Sequence, residues 1–186
     1  MSYKINRFKH IILLTLVLIS SSCSKTEPRK PIVRKTGSFL DESVKRNKEV
    51  NKIEENVLKQ LMQNDSLHHY TNSQNGFWYY YQIKDSLDLK QPIKGDKVVF
   101  AYDVKNLQNS ILFSKEEIGN VEYVIDKQEL ISGLQDGIKL MKEGEIVTFL
   151  FPSYKAYGYS GNERVKPNES LIFKNKRKII NKNANN

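Results

Sequence analysis

The cysteine and the adjacent histidines of this sequence offer little covalent or metal chemistry. Cys23 is the only cysteine, so no disulfide can form within the chain. His68 and His69 are adjacent, with no third ligand nearby, and read as a solvated pair rather than a metal site. The row Phe77-Trp78-Tyr79-Tyr80-Tyr81 has the composition of a platform for stacking sugars or bases. Its residue types fit an amphipathic first strand better. What remains is a loop after Pro152, where Tyr154, Tyr157 and Tyr159 crowd around Gly158 and Gly161, and an apolar set before it, Leu130, Leu134, Ile138 and Met141. No metal or cofactor motif is found among these residues.

The elements that position them follow from periodicity. Leu130, Leu134, Ile138 and Met141 are spaced by four, four and three, which puts them on one face of a short helix. Gly133 and Gly137 weaken that helix, and a close passage of other backbone would explain them. Gly144 is expected to end it in a left-handed cap. From Glu145 to Phe151 the period becomes two, with Val147, Phe149 and Phe151 on one face and Ile146, Thr148 and Leu150 on the other. Both faces are apolar enough for an internal strand. Pro152 stops it. Upstream, Asn75-Gly76 and Lys94-Gly95-Asp96 are turns before strands at Phe77–Tyr81 and Val98–Tyr102, and short strands are expected at Ile111–Phe113 and Val121–Ile125.

Three segments, Leu130-Ile131-Ser132-Gly133-Leu134, Met141-Lys142-Glu143-Gly144 and Pro152-Ser153-Tyr154-Lys155-Ala156-Tyr157-Gly158, together resemble the central part of FKBP-type peptidyl-prolyl isomerases, above all bacterial ones. Ser73, Gly76, Phe77 and Tyr79 are similar to the opening of the bacterial domain, and Leu171-Ile172-Phe173 to its closing strand. The resemblance covers roughly Ser73 to Phe173. It implies an α+β fold, an antiparallel sheet half-wrapped around one short helix (FKBP-like), with proline-containing polypeptides as substrates. X–Pro bonds turn slowly, over a barrier of about 18–20 kcal/mol. An apolar, water-poor aromatic pocket favours the twisted amide, and needs no nucleophile. Carried over by motif, Leu134 would be the pocket floor. Leu130 and Ile131 would supply a wall and a backbone N–H, and Tyr157 a second hydrogen bond. Tyr102, Phe113 and Phe173 would complete the lining, with Val165 at the rim. Two departures stand out: Ser114 where the family usually has Asp, and Val121 where many members have Phe. They imply weaker activity, and leave a binding module with lost catalysis as the alternative.

Beyond Phe173 the likeness fails. Asn175 and Arg177 fall on positions that should face the core, within the run Lys174-Asn175-Lys176-Arg177-Lys178. Burying an unpaired Arg costs several kcal/mol, so the strand is expected to fray, shift or stop early. The domain is taken as 73–178, with 179–186 a disordered tail.

The N-terminus has the layout of an export signal: Lys4, Arg7 and Lys9, then nine apolar residues from Ile11 to Ile19, then Ser20-Ser21-Ser22-Cys23. Cys23 resembles the lipid-bearing cysteine of bacterial lipoproteins, although Ser20 stands where Leu is usual. An ordinary cleaved signal or an uncleaved anchor are the alternatives. The expected division is 1–22 signal, 23–38 flexible tether and 39–72 helical segment. This order, with one degenerate isomerase domain and the segment Gly76–Tyr81, is similar to the gliding-motility-associated isomerase lipoproteins. The expected place is the cell envelope, on a membrane, at its periplasmic side. Removing the signal's three basic residues leaves 27 against 21 acidic ones and lowers the formal charge from +9 to +6. That balance suits a solvated basic surface; export argues against nucleic acid. Val50, Ile53, Val57, Leu58 and Leu61 stripe one face of the helical segment. The stripe needs a partner, either the downstream domain or a second copy in a homodimer through residues 44–62.

Overall fold

The computed structural model describes residues 36–85 and 90–181. Cys23, the signal, the tether up to residue 35 and residues 182–186 lie outside them. The chain divides into two units, Met1–Phe39 and Leu40–Asn186, and the second carries the fold. Helix α1 is Thr36–Asn64, and its residues from Leu40 on belong to that second unit. Then come β1 (Thr71–Asn72), β2 (Trp78–Ile83), β3 (Lys97–Asn106), β4 (Ile111–Phe113), α2 (Lys115–Ile118), β5 (Val121–Val124), α3 (Ser132–Leu140), β6 (Ile146–Phe151) and β7 (Leu171–Asn181). Along the sheet the order is β1-β2-β6-β7-β3-β4, with β5 also on β3, and every pairing is antiparallel. The fold is α+β, as expected.

Strand alternation sorts the side chains. Register sets Tyr79, Phe149, Phe173 and Val104 beside one another across four strands, and Val147, Asn175 and Tyr102 across three. The apolar members of these rows form one core with Leu134 and Ile138 of α3 and with Met141 just after it. The glycines of α3 explain how closely it lies. A Cβ on Gly133 would stand 2.7 Å from the Lys155 carbonyl oxygen and 2.9 Å from the Phe151 ring; one on Gly137 would stand 3.0 Å from the Phe149 ring. The helix ends at Leu140, earlier than the expected stop at Gly144. Two side chains do the capping: Tyr81 Oη and Gln91 Nε2 donate to the Leu140 carbonyl at 3.1 and 3.0 Å. Gly144, with φ +85°, serves the turn into β6 instead.

Helix α1 packs on its own domain. Leu58 is wholly buried, and the Glu54 carboxylate accepts from Ser153 N (2.6 Å), Ser153 Oγ (2.7 Å) and Ser170 Oγ (2.9 Å), just beyond the end of β6 and before the start of β7. Tyr154 Oη donates to Glu55 at 3.1 Å. Val44, Ile53 and Val57 stay exposed. At the far end of the helix, Asp65 accepts from Tyr70 Oη and pairs with His68 Nδ1, both at 2.7 Å, and His68 stacks on Tyr80 with ring centroids 4.1 Å apart. His68 is therefore a packed residue, where the sequence suggested a solvated one; its neighbour His69 is exposed.

Of the fates expected for the last strand, the early end is overturned and a shift is found. β7 runs to Asn181, paired with β3 on both sides of a register shift between Arg177 and Ile179, so residues 179–181 are strand rather than tail. Asn175 and Arg177 face the core and are fully buried. The Arg177 guanidinium and the Asn175 amide find no hydrogen-bond partner among the described residues. Burial pushes the guanidinium down from its ordinary pKa to about 10, against the opposing pull of Glu143, Glu145 and Asp96. The strand continues because β7 is central, and stopping it would unpair its neighbours.

Two outcomes follow from these contacts. Glu54→Ala should lower unfolding stability in urea by about 1.5–3 kcal/mol, because charge-assisted bonds to Ser153 and Ser170 disappear from a buried place. No measurable loss would mean that Glu54 does not hold α1. Arg177→Met should raise stability by about 1–4 kcal/mol. Between pH 10 and the guanidine's ordinary pKa the unfolded wild type binds the extra proton, so its stability should climb with pH there. The advantage of Arg177→Met over wild type should thus shrink as pH rises through 10, and a constant difference would show that the charge is not what destabilises.

Candidate functional site

The eight residues singled out in the sequence come from six places in the chain. Tyr102 is on β3, Phe113 on β4 and Phe173 on β7; Leu130 and Ile131 lead into α3, and Leu134 lies in its first turn; Tyr157 and Val165 lie in the loop between β6 and β7. The structure brings all eight into one cluster. Leu134, Val165 and Phe173 are its buried members. Tyr102, Phe113, Leu130, Ile131 and Tyr157 are half-buried against them. Val165 is only 2% exposed, so it belongs beneath the recess and not at its rim, where the resemblance had put it.

The rings set the geometry. Tyr102 stacks on Phe173 with centroids 5.7 Å apart, Phe173 leans on Phe151 at 5.1 Å, and Phe113 faces Tyr157 at 6.3 Å. Burial raises the Tyr102 phenol pKa, with Tyr157 adding to it, and burial also raises that of Tyr157. Both hydroxyls stay protonated at neutral pH. Neither bonds a protein group among the described residues, and the same holds for the backbone N–H of Ile131. Half-buried rings over buried Leu134 and Phe173, with three hydrogen-bonding groups that have no partner among the described residues, can hold carbonyl oxygens over rings. Nothing in this cluster can act as a nucleophile.

The loop carrying Tyr157 is built from its own backbone. Gly158 N donates to the Ser153 carbonyl (2.8 Å), Asn168 N to the Gly158 carbonyl (3.0 Å) and Asn162 N to the Val165 carbonyl (2.9 Å). Gly161 has φ +62°, and a Cβ there would meet the Val165 oxygen at 2.2 Å, so no larger residue fits. Lys155 Nζ reaches Asp136 on α3 at 3.1 Å, which ties the loop to the helix. Of the three crowded tyrosines only Tyr157 joins the cluster. Tyr154 Oη bonds Glu55 and the Gly76 carbonyl, and Tyr159 is exposed.

Sequence reasoning missed Arg164. Its guanidinium lies over the Phe113 ring at 5.1 Å, donates to the Leu112 carbonyl at 3.2 Å and pairs with Glu117 at 2.6 Å. The pair joins the β6–β7 loop to α2 beside the recess. No local pattern links residues 47 apart, so only the fold could show it. Ser114 also has a task of its own: its Oγ accepts from Glu117 N at 3.2 Å and caps α2. Val121 is half-buried against the core.

Comparison with known proteins bears on the domain as a whole. Residues 89–176 match the family described as FKBP-type peptidyl-prolyl cis-trans isomerase. The chain is 33% identical over 95 residues to a protein named probable FKBP-type peptidyl-prolyl cis-trans isomerase FkpA, from Neisseria meningitidis serogroup B; the match spans 50% of this chain and 34% of that one. Two solved structures share the fold. The N-terminal domain of FKBP42 from Arabidopsis thaliana has a TM-score of 0.57 at 18% identity, over 63% of this chain and 96% of that one. A peptidyl-prolyl cis-trans isomerase from Pseudomonas syringae pv. tomato has a TM-score of 0.57 at 17% identity, over 73% and 96%.

Proposed function

We propose, from the premise that residues 89–176 form an FKBP-type peptidyl-prolyl cis-trans isomerase domain, that this chain is an exported, lipid-anchored prolyl isomerase assisting the folding or assembly of envelope proteins. The observation that carries the catalytic part is the recess itself, with buried Leu134 and Phe173 beneath Tyr102, Phe113 and Tyr157. A proline ring set on Leu134 loses water, and the less polar twisted amide is favoured there over the planar one. Leu130 forms a wall. The Ile131 N–H and the Tyr157 hydroxyl bind the flanking carbonyls, since neither has a protein partner among the described residues. One observation favours the second reading, a weakly catalytic binding module: Ser114 spends its hydroxyl on capping α2 and brings no charge to the recess.

The anchoring part rests on sequence alone, on the sole cysteine placed just after the apolar run and three serines. Among the described residues no helix is long and apolar enough to cross a membrane. The likeness to gliding-motility lipoproteins extends the proposal to that machinery. A homodimer through residues 44–62 is the competing use of that face of α1, and the exposed Val44, Ile53 and Val57 are what favours it.

Tyr157→Phe keeps the ring and removes one hydroxyl, so melting should be unchanged while isomerisation slows several-fold, for a loss of about 0.5–1.5 kcal/mol. Leu134→Ala empties buried volume and should lower stability by about 2–5 kcal/mol along with activity. Leu134→Asp should abolish activity by wetting the floor. These are read by proline-limited peptide isomerisation alongside thermal melts. If wild type turns over no faster than folded Leu134→Asp, the catalytic reading gives way to the binding module.

Acyl chains on Cys23, at about 0.8 kcal/mol per buried CH₂, would hold the protein firmly on a membrane. Cys23→Ala should release it or stall its processing. Persistence of that variant in membranes after a high-salt wash would rule out the lipid anchor.

A further inference from the structure

The face of the sheet away from Leu134 and Tyr157 carries a groove alongside α1. Ile53, Val57 and Leu61 are spaced by four, so they form one ridge of the helix and one wall of the groove. Ile53 and Val57 are 63% and 44% exposed. Leu107, in the β3–β4 turn, lines both parts of it: a shallow stretch of about 270 Å³ beside Ile53 and Val57, and a deeper cavity of about 570 Å³ beside Leu61. The deeper part has Thr148, Leu150 and Ile172 of the sheet for its floor, and Tyr70 and Tyr80 for one side.

Two features point to an occupant. Thr148 is only 3% exposed, yet its Oγ1 has no hydrogen-bond partner among the described residues. The charges are also one-sided. Asp65, paired with His68, lines the deep part and Glu54 and Glu169 the shallow part, while no Lys or Arg among the described residues lines either. This stands out in a chain with a formal charge of +9. All three carboxylates are hydrogen-bonded within the protein, Glu54 to Ser153 and Ser170, Asp65 to Tyr70 and His68, and Glu169 to Lys166 N, so what they offer an occupant is negative charge.

We propose that this groove is a second polypeptide-binding site, for an extended segment in which apolar side chains alternate with basic ones. Eight residues of helix ridge span ~12 Å, the length of about four extended residues. In an extended segment alternate side chains point opposite ways, so apolar ones reach Leu150 and Ile172 while basic ones turn outward to Asp65 and Glu169. The Thr148 hydroxyl then meets a backbone carbonyl or N–H of the segment. No proline is required, so the site is independent of the isomerase reading.

The probe is a fluorescent, proline-free octapeptide of four Val-Lys repeats, titrated with the protein and followed by anisotropy; the control peptide has four Val-Glu repeats. Saturable binding of the Val-Lys peptide alone is expected. Val57→Lys, a change at a partly exposed helix position, should weaken it by about tenfold or more, and Thr148→Val by about two- to tenfold. Prolyl isomerisation and the circular dichroism of both variants should match wild type. Failure of wild type to bind the Val-Lys peptide, equal binding of the two peptides, or unchanged affinity in Val57→Lys would overturn the proposal. So would sedimentation showing a wild-type dimer that Val57→Lys dissociates, with no peptide bound, because a second copy would then be the occupant.

Discussion

The approach of α3 to the phenylalanines of β6 is the constraint on which the rest depends. Gly133 and Gly137 face Phe151 and Phe149 at distances that leave no room for a methyl group. That contact sets the height of Leu134 over Phe173, and so the depth of the recess. The same closeness fixes the loop, since Gly133 also passes the Lys155 carbonyl and Asp136 holds the Lys155 ammonium. A helix shifted outward by the width of one methyl would move the floor and Tyr157 together. The glycines weaken α3 by about 1 kcal/mol each relative to alanine, and the packed rings more than offset it.

β7 shows the opposite balance, in which backbone pairing overrides side-chain preference. After Phe173 it pairs on to Asn181 against β3, and through Lys176 against β6. Each ladder bond contributes on the order of 1 kcal/mol net, so several of them outweigh one badly housed Arg177. Glu143, Glu145 and Asp96 lessen the penalty electrostatically without supplying hydrogen bonds. The polar end of the core is thus a local frustration held in place by the centre of the sheet.

This explains what was legible in the sequence and what was not. Period and glycine placement revealed α3, β6 and the turns at Gly76 and Gly95, because those signals are local. The eight residues of the recess were named by motif, and the fold gathers them. The end of β7 was misjudged because side-chain pattern says nothing of a strand's two neighbours. The role of Glu54 escaped notice, since a Glu among many on a polar helix looks solvated until Ser153 and Ser170, about a hundred residues on, come to meet it. Arg164 and the Ser114 cap escaped notice as well. Each acts through partners supplied by tertiary structure, or by a four-residue helix too short to show a period.

β6 joins the two faces of the molecule. Its inward residues Val147, Phe149 and Phe151 belong to the core beneath the recess. Its outward residues carry the other apolar set, and Leu150 is 1% exposed. The sequence showed that both faces needed cover, and the helix before the domain provides the second one. The cover is uneven. Glu54 clamps α1 beside the ends of the central strands β6 and β7, while Asp65, His68 and Tyr80 hold its end beside β2. Between these fixed points the groove opens over Thr148 and beside Leu107. Two of the three acidic residues that line it, Glu54 and Asp65, are also the ones that fix α1 at these two points.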